Sequence, residues 1–281
     1  MKSTAVTTRM PKTTTINKKM VKQVGWILSE LQSGVLTLTF NRPEKANAFN
    51  LAMVADLQSA FKQAARNEKI RCVVLTGAGK AFCAGHDTSD MLDARTEKTS
   101  YRTHLLATYN PLILQIRQIE KPVVAAINGP TAGAGLGIAL ACDMRLAADT
   151  AQFTVGFSGI GLAPDSAVSL LLPALIGLGR ASEFAFTNSP ISAAQALQWG
   201  LVNRVVPLSD LPAETDRFAR ELAAGPVGAF GLTKRAFNRA VLANLEELLD
   251  YEAHLQDIAS KEAEHSEGVT AFLEKRPPIY S

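Results

Sequence analysis

The sequence predicts an α/β protein that ends in a helical region. Short apolar runs rich in β-branched residues, such as Val123 to Ile127, alternate with longer segments whose apolar residues recur at helical spacing. Strands that alternate with helices favour a sheet with parallel strands. From Leu211 onward the pattern is helical throughout, which indicates a distinct C-terminal helical region.

The individual elements follow from local signals. Segments 26–31 and 35–40 flank a Gln-Ser-Gly turn signal and predict a hairpin. Asn50 is a preferred N-cap residue and precedes a segment with apolar residues on one helical face. Further strands are predicted at 72–75, 123–127, 144–147, 152–154 and 200–206. Further helices are predicted at 101–118, 167–175, 180–187, 193–199, 244–263 and 267–275.

Composition and charge exclude several function classes. With 281 residues, 47% of them hydrophobic, the chain can bury a large core. A net charge of +3 is too small to indicate nucleic-acid binding. Three scattered cysteines show neither metal-ligand nor disulfide spacing, so we expect no metal site and a cytoplasmic location. No apolar run reaches the roughly 18 residues of a membrane span, and the Thr/Lys-rich residues 1–23 are predicted to be a disordered extension.

A glycine-rich stretch directly after the strand at 123–127 organises the chain. Gly133, Gly135 and Gly137 occur at every second position and open a predicted helix. Such a turn leaves unpaired backbone N–H groups that an anion or a developing oxyanion can approach closely. A phosphate site is less well supported, because no Lys-Ser/Thr follows and the glycines do not fall as G-x-G-x-x-G. The alternative is a glycine-lined helix that packs tightly on a sheet.

Four segments together resemble the crotonase family, also called the enoyl-CoA hydratase/isomerase superfamily. They are Asn41-Arg42-Pro43 with Asn47-Ala48, the loop 81–87, the stretch 121–143, and 191–206. The resemblance runs from about Gly34 to the C-terminus. It implies a crotonase-like spiral of ββα turns with an acyl-CoA site at 24–208, and a helical trimerisation region at 209–281.

The resemblance also implies a site. Members of the family bind acyl-CoA thioesters and stabilise an enolate on the thioester oxygen with two backbone N–H groups, which match His86 and Ala134 here. Coenzyme A is part of the substrate, so no separate cofactor is expected. Phe272 and Lys275 are expected to contact CoA in a neighbouring subunit of a homotrimer or a dimer of trimers. The other predicted contacts with substrate or CoA are Arg42, Lys45, Ala46, Ala48, Ala84, Gly85, Asp87, Gly133, Gly137, Phe157 and Leu162.

The predicted chemistry depends on one carboxylate. Hydratases of the family carry two glutamates, and the matching positions here are Gly137 and Phe157, neither of which can carry a proton. Asp165 lies in Gly-Leu-Ala-Pro-Asp-Ser, which resembles the aspartate motif of the phenylacetate-pathway enoyl-CoA isomerases. A single carboxylate facing an oxyanion hole suits a 1,3-proton shift. We therefore predict a Δ3-to-Δ2 enoyl-CoA isomerase, or a related ring-expanding isomerase, with Asp165 as its acid/base and Phe157 excluding water.

Several alternatives stay open at this point. Asp165 is also a suitable helix N-cap. It could alternatively be the nucleophile of a dehalogenase, although the positions that correspond to the His and Trp of that reaction are Asn110 and Phe157 here. A hydratase-like lyase and a non-catalytic acyl-CoA binder complete the set. The adjacent side chains of His86 and Asp87 are expected to diverge, with the imidazole lining the entrance and Asp87 accepting hydrogen bonds that order its loop.

Overall fold

The computed structural model describes residues 21–87 and 100–280. Within these ranges the strands form a larger sheet in the order β1-β2-β3-β4-β5-β7-β10 and a smaller sheet in the order β6-β8-β9. The strands are β1 (Val21–Val24), β2 (Ile27–Gln32), β3 (Val35–Phe40), β4 (Cys72–Gly77), β5 (Val123–Ile127), β6 (Thr131–Ala132), β7 (Met144–Ala148), β8 (Gln152–Thr154), β9 (Ile191–Ser192) and β10 (Arg204–Val206).

The sheet topology confirms the predicted α/β fold. Strands β1 to β3 pair antiparallel, and β3, β4, β5, β7 and β10 are parallel neighbours. In each of the successive pairs β5/β6, β7/β8 and β9/β10, one strand belongs to the larger sheet and the other to the smaller sheet. The chain therefore winds between two sheets, as expected of a spiral of ββα turns. Strand β1 begins at Val21, within the segment 1–23 predicted to be an extension, so that boundary was set too late; residues 1–20 lie outside the described residues.

The helices surround the larger sheet and form the C-terminal region. They are α1 (Leu51–Arg66), α2 (Tyr101–Ala107), α3 (Tyr109–Gln118), α4 (Ala134–Ala141), α5 (Val168–Ile176), α6 (Leu178–Thr187), α7 (Ala193–Trp199), α8 (Leu211–Ala224), α9 (Val227–Val241), α10 (Leu245–Ala259) and α11 (Ala263–Glu274). As predicted, Asn50 caps α1, and its Oδ1 accepts a hydrogen bond from the N–H of Met53 at 2.9 Å. None of these helices combines the length and apolar character needed to cross a bilayer.

The single helix predicted over 101–118 is wrong, because the chain breaks at Thr108 between α2 and α3. Pro111 has no N–H with which to bond the carbonyl of Ala107. Gln58 of α1 supplies the donor instead, since its Nε2 lies 3.3 Å from Ala107 O and 2.6 Å from Thr108 O. The break therefore has a local cause in the proline and a tertiary compensation from α1.

The core lies on both faces of the parallel strands. Leu75 and Ala125 belong to the larger apolar cluster on one face, whereas Val74 and Val124 pack with residues of α8 on the other. Strands buried on both faces need continuous apolar sequence instead of alternation, and every residue of β5 is buried. The loops that follow β3, β4 and β5 emerge from the same end of these strands, and they carry many of the predicted site residues.

Candidate active site

Two loops meet at the carboxyl ends of β4 and β5. The N–H of Ala132 donates to Cys83 O at 3.0 Å, and a Cβ atom added to Gly85 would lie 3.6 Å from the N of Ala134. Gly133 has φ +53° and is the N-cap of α4, a conformation that favours glycine. The two predicted amide donors, His86 and Ala134, therefore belong to segments in direct contact.

Hydrogen bonding distinguishes the main-chain N–H groups of His86 and Ala134 from that of Gly133. Within residues 21–87 and 100–280, neither N–H donates to a protein acceptor, whereas the intervening N–H of Gly133 donates to Val155 O at 3.2 Å. Ala134 is the first residue of α4, and the first intrahelical bond runs from Gly137 N to Gly133 O at 3.1 Å. An N–H at a buried helix start stabilises negative charge, so this place can hold a developing oxyanion.

The imidazole ring of His86 is held in place by two neighbouring side chains. Its Nδ1 lies 2.8 Å from the hydroxyl of Tyr109, and its ring packs edge to face against His104 with 4.9 Å between centroids. Burial, followed by the neighbouring His104, lowers the pKa of His86 to about 3. The ring is therefore neutral at physiological pH and contacts a buried tyrosine; that it lines the entrance stays a prediction.

Arg42 and Asp87 form a buried ion pair that joins the two predicted CoA loops. Arg42 Nη2 lies 2.9 Å from Asp87 Oδ2, and Nη1 donates to Ala48 O at 2.7 Å. The N–H of Ala84 donates to Ala46 O at 3.0 Å. These contacts confirm that Asp87 is a loop-ordering acceptor and that its side chain diverges from that of His86. The guanidinium of Arg42 orders the loops from inside; the exposed Lys45 lies in the same loop.

Asp165 lies in a buried loop before α5. Its Oδ1 accepts from Ser166 Oγ at 2.7 Å, and its Oδ2 accepts from Gln256 Nε2 at 2.9 Å. Burial raises the pKa of Asp165 to about 6, although both hydrogen bonds lower it. The N-cap of α5 is Ala167 without a side-chain cap, so the alternative interpretation of Asp165 as the helix cap is wrong.

The backbone after Asp165 is unusual. Ser166 and Ala167 have φ values of +56° and +62°, and two consecutive left-handed residues other than glycine are costly. A Cβ atom added to Gly137 would lie 2.5 Å from Ser166 Cβ and 2.7 Å from Ser166 O. The Asp165 loop therefore fills the space that a side chain at position 137 would need, one turn along α4 from Ala134.

Phe157 and Leu162 lie on the segment that leads to Asp165. Both are buried, and the N–H of Leu162 donates to Phe157 O at 3.0 Å. Asn110, the residue that matches the dehalogenase histidine, donates from Nδ2 to Leu249 O at 2.9 Å. Its amide is thus engaged with the backbone of α10.

Residues of α10 that the sequence pattern did not identify complete the surroundings of Asp165. Besides Gln256, Glu252 is 1% exposed, and its carboxylate accepts from the N–H groups of Ala167 at 2.8 Å and Ser169 at 3.0 Å. Burial raises the pKa of Glu252 to about 7. The signal in the sequence that could have identified these two residues is their position among the apolar residues of the buried face of α10.

Contacts between side chains therefore cross the predicted boundary at 208/209. Besides α10, α11 contacts the segment before Asp165, since His265 Nδ1 lies 2.8 Å from Ile160 O and its Nε2 lies 3.0 Å from Tyr101 Oη. Phe272 and Lys275, at the end of α11, are exposed. Their contact with CoA in a neighbouring subunit, and the oligomerising role of residues 209–281, stay predictions.

The three cysteine thiols are buried and unreactive. Burial raises the pKa of each of Cys72, Cys83 and Cys142 to about 12, so these thiols are not nucleophiles. Over the described part of the chain, no group of three His, Cys, Asp or Glu side chains is arranged to bind a metal ion.

Comparisons with known proteins identify one family over most of the chain. The family model described as enoyl-CoA hydratase/isomerase matches residues 30–281. The chain is 41% identical over 257 residues to a 1,2-epoxyphenylacetyl-CoA isomerase of Escherichia coli (strain K12), covering 91% of this chain and 98% of the relative. It is 40% identical over 252 residues to a probable enoyl-CoA hydratase of Rhodobacter capsulatus, covering 90% and 96%. A crystal structure of an enoyl-CoA hydratase from Mycobacterium avium subsp. paratuberculosis superimposes with a TM-score of 0.83 at 35% identity, covering 92% and 100%.

Proposed function

Because the chain belongs to the enoyl-CoA hydratase/isomerase family, whose enzymes act on acyl-CoA thioesters, we propose that it is an isomerase that moves a Δ3 double bond to Δ2. The observation that carries this proposal is the buried carboxylate of Asp165, which lies in a loop packed against the first turn of α4, the helix that begins at Ala134. Gly137 and Phe157 supply no second acid/base group at the positions that hydratases use.

The proposed reaction is a proton transfer between two carbons. The carboxylate of Asp165 takes a proton from C2 of a 3-enoyl thioester. The electron pair of that C–H bond forms the C1=C2 bond, and the π pair of the C1=O bond moves onto the thioester oxygen. The N–H groups of His86 and Ala134 stabilise the resulting dienolate, and each such donor is typically worth about 3 kcal/mol. Asp165 then returns the proton to C4, the C2=C3 bond forms and the thioester carbonyl is restored. No proton is gained or lost overall.

The electrostatics of Asp165 support the role of base. A general base is most effective when its pKa lies near the working pH, and burial raises the pKa of Asp165 to about 6. The carboxyl group is then mostly ionised at neutral pH, yet more basic than an exposed aspartate. His86 does not compete for this role, because its pKa of about 3 leaves the imidazole neutral and weakly basic.

Isomerisation of an epoxidised phenylacetyl thioester is the second candidate. It is supported by the name of the Escherichia coli relative, which is 41% identical, and it is compatible with the same oxyanion hole. Hydration is less well supported because it lacks the two carboxylates. Dehalogenation is less well supported because Asn110 bonds to the backbone of α10 and Phe157 is no hydrogen-bond donor.

The test compares the wild type with Asp165→Asn on a panel of 3-enoyl-CoA and 2-enoyl-CoA substrates, with acyl-CoA binding measured alongside. We expect isomerisation of the 3-enoyl thioester to fall by about a hundredfold or more, while binding persists. Asp149→Asn is the matched control. The Asp149 carboxylate accepts a hydrogen bond of 3.1 Å from Leu208 N and does not belong to the Asp165 loop.

Full turnover by Asp165→Asn would contradict the proposal. Hydration of 2-enoyl-CoA by the wild type without isomerisation would identify a lyase. Tight acyl-CoA binding without turnover of any substrate would identify a non-catalytic binding protein.

A further inference from the structure

The side-chain amide of Gln256 has a fixed orientation. It is 1% exposed, and its Nε2 lies 2.6 Å from Ala163 O and 2.9 Å from Asp165 Oδ2. A backbone carbonyl can only accept hydrogen bonds, so the nitrogen of the amide must face Ala163. One amide hydrogen is used there, and the second is directed at the carboxyl group of Asp165.

We propose that Gln256 is a positioning residue for Asp165. Gln256 fixes the orientation of the Asp165 carboxylate and keeps it ionised as the base. The catalytic meaning of this role rests on the proposed function, whereas the contact between the two side chains does not. Gln256 lies on α10, 91 positions from Asp165 in the sequence.

The two hydrogen bonds to Asp165 are not equivalent. The hydroxyl of Ser166 rotates and can either donate or accept, so it can bond to the ionised or the protonated carboxyl group. The nitrogen of Gln256 only donates, so its bond is strongest to the carboxylate. Gln256 therefore opposes the effect of burial, which favours the protonated form.

Among residues 21–87 and 100–280, Glu252, one turn before Gln256 on α10, is the acid whose hydrogen bonds reach the same loop. Burial, followed by the charge of Asp165, raises the pKa of Glu252, whereas burial is what raises the pKa of Asp165. Helices α4 and α5, which pack beside the loop, contain no ionisable side chain. Gln256 is thus the fixed donor that offsets the effect of burial on Asp165.

Helix α10 contacts the chain on both sides of Asp165. Gln256 bonds to Ala163 O, and Glu252 bonds to the N–H of Ala167 at 2.8 Å. Both anchors belong to one helix, so the loop between them cannot shift relative to α10 without breaking a buried bond. Glu252 also stabilises the left-handed conformation of Ala167.

The test uses the full-length Gln256→Met variant, which keeps the length of the side chain and removes both donors. Gln58→Met is the matched control, because it removes a similar amide-to-carbonyl bond, to Thr108 O at 2.6 Å, away from Asp165. The pKa of Asp165 is measured without substrate by carboxyl carbon NMR, with the resonance assigned from Asp165→Asn. The acidic limb of the kcat/KM profile with 3-enoyl-CoA is recorded in parallel.

In Gln256→Met we expect the pKa of Asp165 and the acidic limb to rise together by about one to two units, as a lost hydrogen bond to a charged group predicts. Gln58→Met should leave both unchanged. An unchanged pKa in folded Gln256→Met, or an equal rise in Gln58→Met, overturns the inference.

If Gln256→Met does not fold, Gln256→Glu replaces it. That substitution keeps the volume and places a second carboxyl group against Asp165, so the pKa must rise further; an unchanged value again overturns the inference. Since the NMR titration needs no turnover, a wild type that is inactive on 3-enoyl-CoA refutes the proposed function alone.

Discussion

Gly137→Ala should displace the Asp165 loop although it adds only one methyl group. The new Cβ would lie 2.5 Å from Ser166 Cβ and 2.7 Å from Ser166 O, whereas ordinary contacts lie at 3.4–4 Å. The Asp165 loop or α4 must therefore move by about 1 Å, judged from packing distances. Neither atom is the end of a flexible side chain, and Ser166 stands between two residues anchored to α10, so local relaxation is restricted.

Two effects on stability oppose each other. Alanine in a helix is favoured over glycine by about 1 kcal/mol, and an overpacked core costs about 1–3 kcal/mol. We expect the overpacking to win, with a net loss of about 1–2 kcal/mol. The effect on turnover should be larger, because a misplacement of about 1 Å at a reacting group can cost about a hundredfold.

The assay combines urea unfolding with kcat on a 3-enoyl-CoA. Gly179→Ala in α6 is the control, because a Cβ atom there meets nothing within 4 Å, and it should leave kcat unchanged while the stability stays equal or increases slightly. A Gly137→Ala variant as stable and as active as the wild type would refute the packing argument. Hydratase activity in Gly137→Glu would refute it as well, since the glutamate has no space.

Three further outcomes follow from the charged groups. Below pH 6 the value of kcat/KM should fall about tenfold per pH unit as Asp165 becomes protonated, measured as a pH profile, because its pKa is about 6. The folded state binds this proton more tightly than the unfolded chain, in which the carboxyl group has the ordinary aspartate pKa of 3.8. This residue's contribution to stability therefore falls as the pH rises from about 4 to 6. Asp165→Asn should therefore gain stability relative to the wild type across that range, by up to about 3 kcal/mol in urea unfolding; a constant difference would contradict this. Asp87→Asn leaves the buried guanidinium of Arg42 without its partner carboxylate and should cost about 3–5 kcal/mol, whereas a loss below about 1 kcal/mol would mean that the pair is solvated.

The fold was predictable where local signals and tertiary packing agree. The continuous apolar run of β5, the small residues that open α4 and the cap at Asn50 each determine their own conformation. The helix predicted over 101–118 failed because apolar periodicity outweighed the missing N–H of Pro111. The break is also stabilised by Gln58 from another helix, which no local pattern reveals.

The sequence motifs identified the two main-chain N–H groups and Asp165 as candidates, but not the residues that surround Asp165. His86, Ala134 and Asp165 come from motifs that are short in sequence. Glu252 lies 85 residues from Ala167, and Gln256 lies 91 residues from Asp165. Both belong to a helix whose apolar periodicity is typical of an ordinary amphipathic helix. Their position on the buried face marks them as polar residues in an apolar environment, but only the fold shows what they contact.

The bond between Gln256 and Asp165 also bears on when the enzyme matures during its synthesis. The ribosome produces α4 and the Asp165 loop well before α10, and domains tend to form from the N-terminal side as the chain emerges. A nascent chain whose α10 is still in the exit tunnel contains Ala134 and Asp165 but lacks the glutamine that binds the carboxyl group. On the proposed role of Asp165 as the base, docking of α10 is the step that completes its surroundings, after most of the spiral has been translated.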